Sequence, residues 1–162
     1  MENNVSFFII KEYLLRLEKY CAFQERSVYD LRLKMIKLGI PEEYHDRIIE
    51  ELKKNNFLSD ERYADLFVRS KVNQNGWGPV KIRAELTKKN IANSLIEKYI
   101  NLYYKETKQT EMLETMLNKK MKSLENVDRE KQKEKLIRFA LSRGFESNSV
   151  FAVVNKIFSG KD

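Results

Sequence analysis

Residues 58–91 read LSDERYADLFVRSKVNQNGWGPVKIRAELTKKNI. The stretch opens on Ser59, Asp60 and Glu61, whose short oxygen-bearing side chains can accept hydrogen bonds from first-turn N–H groups and whose negative charge suits the start of a helix. Tyr63, Ala64, Phe67, Val68 and Val72 then recur at three- and four-residue spacing. That places them on one apolar face, with Arg62, Asp65, Arg69 and Lys71 mostly elsewhere. Asn73, Gln74, Asn75 and Gly76 stop this helix. Gly78 and Pro79 start the next, because proline at the first helical position gives up an N–H that had no partner anyway. Trp77 and Ile82 stand where a hydrophobic staple would fix the start of that helix, and Ile82 and Leu86 carry the stripe on to Asn90 and Ile91.

The flanks repeat this pattern. Before it, a first helix is expected from about Ser6 to Cys21, with Ile10, Tyr13, Leu14, Leu17 and Cys21 on one face. Ser27 and Asp30 have capping-box spacing for a second helix whose stripe is Leu31 and Met35, with Leu38 at its edge. Gly39 closes it, as a residue without a side chain can take the left-handed conformation at a helix end. Pro41, Glu42 and Glu43 start a third helix with Tyr44, His45, Ile48, Ile49 and Leu52 on its face. A shift of 51 residues moves Leu31, Met35, Gly39, Ile40, Ile48, Ile49 and Leu52 onto Ile82, Leu86, Asn90, Ile91, Tyr99, Ile100 and Tyr103. A further 54 moves them onto Leu136, Ala140, Gly144, Phe145, Val153, Val154 and Ile157. Leu17 and Cys21 fall on Val68 and Val72. The third copy opens with Met112, Leu113, Met116 and Leu117 and accommodates a charged stretch, Asn126 to Lys135, that lengthens it.

Three copies of a three-helix unit follow, over residues 1–57, 58–107 and 108–162, each unit burying its face partly against a neighbour. The fold class is all-α with nine helices. At 162 residues, with 42% hydrophobic and 34% charged side chains and only 5 Gly and 2 Pro, the chain has the composition of amphipathic helices and enough length for a sizeable core. One cysteine, Cys21, excludes an internal disulfide, and with His45 as the sole histidine a Cys/His zinc cluster is unavailable. The apolar run Val5 to Ile10 is too short for a signal-peptide core, and no segment approaches the roughly 20 apolar residues of a membrane helix. A cytoplasmic protein is expected, with no cofactor and no metal.

The Leu58 to Ile91 stretch resembles the RecX family of bacterial regulatory proteins. The match lies in Leu58, Asp60, Glu61, Arg62, Tyr63, Ala64, Phe67, Val68 and Arg69, then Gly78, Ile82, Arg83, Glu85, Leu86 and Ile91. Arg26 and Ser27 with Leu31, and later Gly39 and Ile40, are similar to the family's first repeat. The resemblance implies an elongated, curved array of helical repeats. It also implies a modulator of the RecA recombinase that lies in the groove of the filament on single-stranded DNA, lowers ATP hydrolysis and strand exchange, and carries no catalytic residues. A monomer is expected.

Residue chemistry agrees that catalysis is not the task. Asp60 and Glu61 are accounted for by helix capping, and adjacent helical positions diverge too far to share a substrate. His45 reads as a structural residue on an apolar face and Cys21 as packing, and no phosphate-binding glycine loop is present. Charge is more informative. The formal net charge is +7 and the pI about 9.3, with 10 basic and 10 acidic residues up to position 57 against 21 and 14 beyond it. An ordinary lysine-rich surface would also produce this excess, but its clustering points to an anionic partner. The candidate recombinase or DNA contacts are Arg62, Arg69, Lys71, Lys81, Arg83, Lys88, Lys89, Arg138 and Arg143, with Lys119, Lys120 and Lys122 a further cluster. No aromatic residue is regularly interleaved as in a single-strand stacking platform. Direct contact with single-stranded DNA is therefore expected to be weak, sequence-independent and salt-sensitive. The alternative is a helical protein whose target is DNA itself; a phosphodiester-cleaving enzyme lacks a ligand set.

Overall fold

The computed structural model describes residues 2–159, with side chains described from residue 10 onward except at 106 and 107. The side chains expected to begin the first helix, from Ser6, lie outside the described ones. Among the described residues the chain is all-helical. The order is α1 (Glu2–Phe23), α2 (Val28–Lys37), a 3-10 turn (Glu42–Tyr44), α3 (His45–Lys54), α4 (Asp60–Asn73), α5 (Pro79–Lys88), α6 (Asn93–Tyr103), α7 (Glu106–Lys122), α8 (Arg129–Arg143) and α9 (Ser147–Ser159). Contacts group these into two compact units, Met1–Leu66 with Lys88–Ala92 and Phe67–Thr87 with Asn93–Asp162.

The first unit is built on the stripes of α1 to α3. Ile10, Leu17, Cys21, Leu31, Met35, Ile40, Ile48, Ile49, Leu52 and Leu58 form one buried cluster, with Tyr13, Leu14, Tyr20, Val28, Tyr44 and Phe57 packed against it. Leu38, at the edge of the α2 stripe, is 38% exposed. Ser27 caps α2 as expected: its hydroxyl accepts from the Asp30 N–H, and the Asp30 carboxylate reaches back to the Ser27 N–H. The third helix starts later than the sequence suggests. Pro41, Glu42 and Glu43 lead into the 3-10 turn, with the Tyr44 N–H donating to the Pro41 carbonyl at 3.1 Å, and the α-helix begins at His45. His45 is buried and its Nε2 donates to the Ile40 carbonyl at 2.9 Å, which ties the helix start to the preceding turn. Cys21 is buried, and burial pushes its thiol up to about 11, so it packs as a neutral side chain.

The second unit holds another cluster, Leu113, Leu117, Met121, Leu124, Leu136, Ala140, Phe145, Val150, Val153 and Val154. Of the remaining stripe positions there, Val68, Val72, Ile82, Leu86, Tyr99 and Ile100 are buried, as is Ile96 on α6. The charged stretch Asn126 to Lys135 lengthens the third copy as expected. Its residues from Arg129 onward are the first turns of α8, which runs 15 residues where α2 and α5 run 10.

The internal repeat is visible in backbone conformation as well as in burial. Gly39, Asn90 and Gly144 have φ of +68°, +56° and +88°, the left-handed turn that the shifts of 51 and 54 residues place at the ends of α2, α5 and α8. After α2 the Ile40 N–H bonds to the Met35 carbonyl and the Gly39 N–H to the Ile36 carbonyl. After α8 Phe145 bonds to Ala140 and Gly144 to Leu141 in the same arrangement. This double bond pattern satisfies carbonyls that the helix end leaves open.

Within the second unit the start of α5 is laid directly on the end of α8. The Gly78 N–H donates to the Arg143 carbonyl at 2.7 Å and the Val80 N–H to the Gly144 carbonyl at 3.0 Å. A Cβ at Gly78 would fall 2.2 Å from the Gly144 oxygen, and one at Gly144 would fall 2.2 Å from the Lys81 Cβ. Two orphan N–H groups of one helix thus meet orphan carbonyls of another.

Candidate functional site

The signature stretch acts first as a structural clasp. Ser59 is the N-terminal cap of α4, its hydroxyl accepting from the Arg62 N–H at 3.2 Å. Asp60 was expected to serve this helix start, but its Oδ1 accepts from the Val28 N–H at 2.9 Å, so the carboxylate caps the N-terminus of α2. Arg62, a candidate contact residue, donates from Nε to Glu25 Oε1 at 2.7 Å and from Nη2 to the Asn56 carbonyl at 2.8 Å. Lys89, another, donates to Asp30 Oδ1 at 2.6 Å, with the two side chains 25% and 20% exposed. Its Nζ also stands 5.9 and 5.8 Å from the ring centroids of Tyr29 and Tyr63.

Both partners of this pair are driven towards their charged forms. Burial raises the Asp30 carboxyl, but the hydrogen bonds from Lys89 and Ser27 and the Lys89 charge outweigh it and hold the group below its ordinary value. Burial lowers Lys89, and the Asp30 bond with the Asp30 and Tyr63 charges more than reverses it. A depressed carboxyl stabilises the fold above its unfolded value and ceases to do so as pH falls through its folded value; a raised amine behaves oppositely at the alkaline end. Lys89→Met should therefore cost about 1.5 kcal/mol at neutral pH. That gap should narrow as the pH falls from the ordinary carboxylate range towards the lowered value of Asp30. Urea denaturation of the two proteins at pH 7 and pH 3 checks this, and a gap of equal size at both would remove the pair from the stability account.

The remaining candidates lie mainly in the second unit, and the structure sorts them. Arg83 makes a two-pronged pair with Glu97, at 2.7 Å from Nε and 3.1 Å from Nη2, and the shared hydrogen bonds lower Glu97 and raise Arg83. Arg138 bonds Glu134 one turn back on α8, both side chains being largely exposed, a pair that contributes little and is readily given up. Arg143 donates from Nη1 to the Asn75 carbonyl at 3.0 Å. Lys81 and Lys71 stand 4.3 and 4.8 Å from the Trp77 ring centroid. That ring meets Phe67 edge-on, with centroids 6.3 Å apart and planes at 73°. Arg69 on α4 and Lys88 at the end of α5 are exposed.

Two adjoining hollows line α7. One, of about 480 Å³, is bounded by Gln74, Asn75, Gly76, Met116, Lys119, Lys120, Ser123, Phe139 and Arg143. The other, of about 660 Å³, shares Gly76, Met116 and Lys119 and adds Lys108 and Glu111. Lys120 and Arg143 stand 5.6 and 5.2 Å from the centroid of Phe139. The sequence reading gave Trp77 only a staple role and did not single out Phe139, because neither sits in a regular aromatic series. The folded chain nevertheless brings each beneath two cations drawn from different segments.

Three-helix domains with cations around half-buried aromatic rings define an all-helical repeat protein. Residues 59–100 match the model for the second three-helix domain of RecX and residues 106–154 that for the third. Regulatory protein RecX of Clostridium acetobutylicum is 30% identical over 161 residues, covering 93% of this chain and 73% of that protein. That of Haemophilus influenzae strain PittEE is 32% identical over 126 residues, covering 77% and 81%. The RecX protein of Oceanobacillus iheyensis is 27% identical over 94% of this chain, which spans about half the length of that relative, 55%. The fold is shared with a crystal structure of RecX from Lactobacillus salivarius, with a TM-score of 0.79 at 24% identity, covering 91% of this chain and 95% of that one. A second crystal structure of regulatory protein RecX gives 0.82 at 24% identity over 96% and 78%. The chain belongs to the RecX family of regulatory proteins, a non-enzymatic family. Among the described residues no helix is long and apolar enough to cross a membrane.

Proposed function

We propose that the chain acts as a cytoplasmic monomer that binds the RecA recombinase filament on single-stranded DNA and restrains its ATP hydrolysis, strand exchange and growth. Membership of the RecX family is the observation that carries this reading. Three tandem units over residues 1–57, 58–107 and 108–162 suit a filament, since each engaged unit holds the next at high effective concentration. Within the basic set, contact falls to Arg69, Lys71, Lys81 and Arg143, and to Arg138, whose pair with Glu134 is exposed on both sides, ahead of Arg62, Arg83 and Lys89, which answer less exposed carboxylates inside the chain.

Purified protein should lower the ATPase of RecA filaments on single-stranded DNA. Arg69→Glu combined with Arg138→Glu should require about tenfold more protein for the same effect, with an unchanged helical spectrum. Binding to free single-stranded DNA should be weak and should fall steeply between low and moderate salt, as phosphate neutralisation releases counterions. Equal affinity for bare and recombinase-coated DNA would favour a direct DNA-binding protein instead, and an unaffected ATPase would overturn the recombinase reading.

A further inference from the structure

The first hollow along α7 and α8 combines cations with an apolar floor and has no acidic residue in its lining. Lys119 is exposed, Lys120 and Arg143 are half-buried, and Met116 and Phe139 supply the apolar surface between them. Nucleic acid would engage such a groove by phosphate contact and by stacking bases on open ring faces. Lys120 and Arg143 already stand over Phe139, so a base would have to displace a cation to reach that ring.

The internal repeat indicates which anion fits. The 51- and 54-residue shifts that superpose the copies place Asp30 on Lys81 and Lys89 on Arg143. In the first unit this position carries a matched pair, Lys89 on the Asp30 carboxylate at 2.6 Å. In the second unit the acid has become Lys81, and Arg143 donates to a backbone carbonyl, that of Asn75, at 3.0 Å. A guanidinium has five N–H donors in a planar fork that suits a carboxylate, and a single carbonyl uses one of them. The carboxylate present in one joint is missing from its counterpart, and two further cations, Lys119 and Lys120, border the place.

We propose that this groove binds an acidic peptide segment of a protein partner. Its carboxylates lie against Arg143, Lys119 and Lys120, and an apolar side chain of the segment rests on Met116. The proposal rests on the reading that the chain works by binding a protein. It adds where that protein is gripped and by what chemistry: side-chain carboxylates flanking an apolar anchor.

The test uses the full chain and a fluorescein-labelled synthetic peptide of alternating Glu and Leu, compared with its Gln-for-Glu counterpart by fluorescence anisotropy. The acidic peptide should bind at least about tenfold more tightly than the counterpart. Lys119→Glu with Lys120→Glu should abolish that preference. Lys37→Glu with Lys54→Glu, an equal change of net charge at exposed positions of the first unit, should leave it intact. Helical circular dichroism establishes that each variant is folded. Equal binding of the two peptides, equal weakening by both double variants, or displacement of the peptide by a lower concentration of oligo-dT than of unlabelled peptide would each overturn the proposal. The filament ATPase separates the two readings. A parent protein that inhibits the ATPase but shows no peptide preference removes the groove alone, and one that shows the preference without inhibiting leaves the groove and removes the recombinase.

Discussion

Gly78→Ala is expected to destabilise the protein by about 3 kcal/mol, from overpacking against a backbone group and the opening of the hydrogen bonds around it. The added methyl would sit 2.2 Å from the Gly144 oxygen and 2.5 Å from the Phe145 nitrogen, atoms that cannot rotate away as a side chain would. Relief requires α5 to lift from the end of α8, which stretches the bonds from Gly78 to Arg143 and from Val80 to Gly144. Gly144→Ala should cost a similar amount for two reasons. Its φ of +88° is strained for a residue with a side chain, and its methyl would meet the Lys81 Cβ and backbone nitrogen. Gly39→Ala isolates the first reason, since that glycine has φ +68° and open space around it, and it should cost only about 1 kcal/mol. Chemical denaturation of the three variants measures the difference. A combined Gly78→Ala and Gly144→Ala protein should lose less than the sum, because both changes open one contact. Equal midpoints for Gly39→Ala and Gly78→Ala would mean that the α5 to α8 joint contributes nothing.

Leu86→Ala should cost about 2 to 5 kcal/mol, the range for deleting a fully buried leucine whose surroundings only partly collapse. Leu86 is completely buried in the third turn of α5, on the stripe it shares with Ile82. The shifts of 51 and 54 residues align it with Met35 and Ala140, also completely buried. Alanine is therefore acceptable at this position in the third copy, where Met121, Leu124 and Phe145 belong to the same cluster. At position 86 the surrounding side chains are fitted to leucine, and substitution leaves a void that no bulky residue was chosen to fill. A leucine-to-methionine change, which keeps volume, should cost under about 1.5 kcal/mol. Thermal or urea midpoints for the two variants distinguish a volume effect from simple tolerance of the site, and matching midpoints would place Leu86 outside the core.

What the sequence determined by itself is local. A helix face depends on apolar residues three and four apart, so the stripes of Leu17 and Cys21, Leu31 and Met35, and Ile82 and Leu86 could be read directly and are buried. Left-handed turns depend on one residue's steric freedom, so Gly39, Asn90 and Gly144 marked them, and Ser27 with Asp30 marked a cap closed within three residues. The Asp60 to Val68 motif likewise carried the family resemblance. Where the charges are spent was decided only by tertiary structure. Asp60 caps Val28 across 32 residues, Arg62 meets Glu25 across 37, Lys89 meets Asp30 across 59 and Arg143 meets Asn75 across 68. A lysine committed to an internal carboxylate and one facing solvent look alike in a one-dimensional pattern, because helical periodicity fixes the face on which a charge lies and says nothing about what is packed opposite. The same reason hid the joint at Gly78 and Gly144: each glycine reads as a turn, and only the approach of two distant backbones makes either one indispensable.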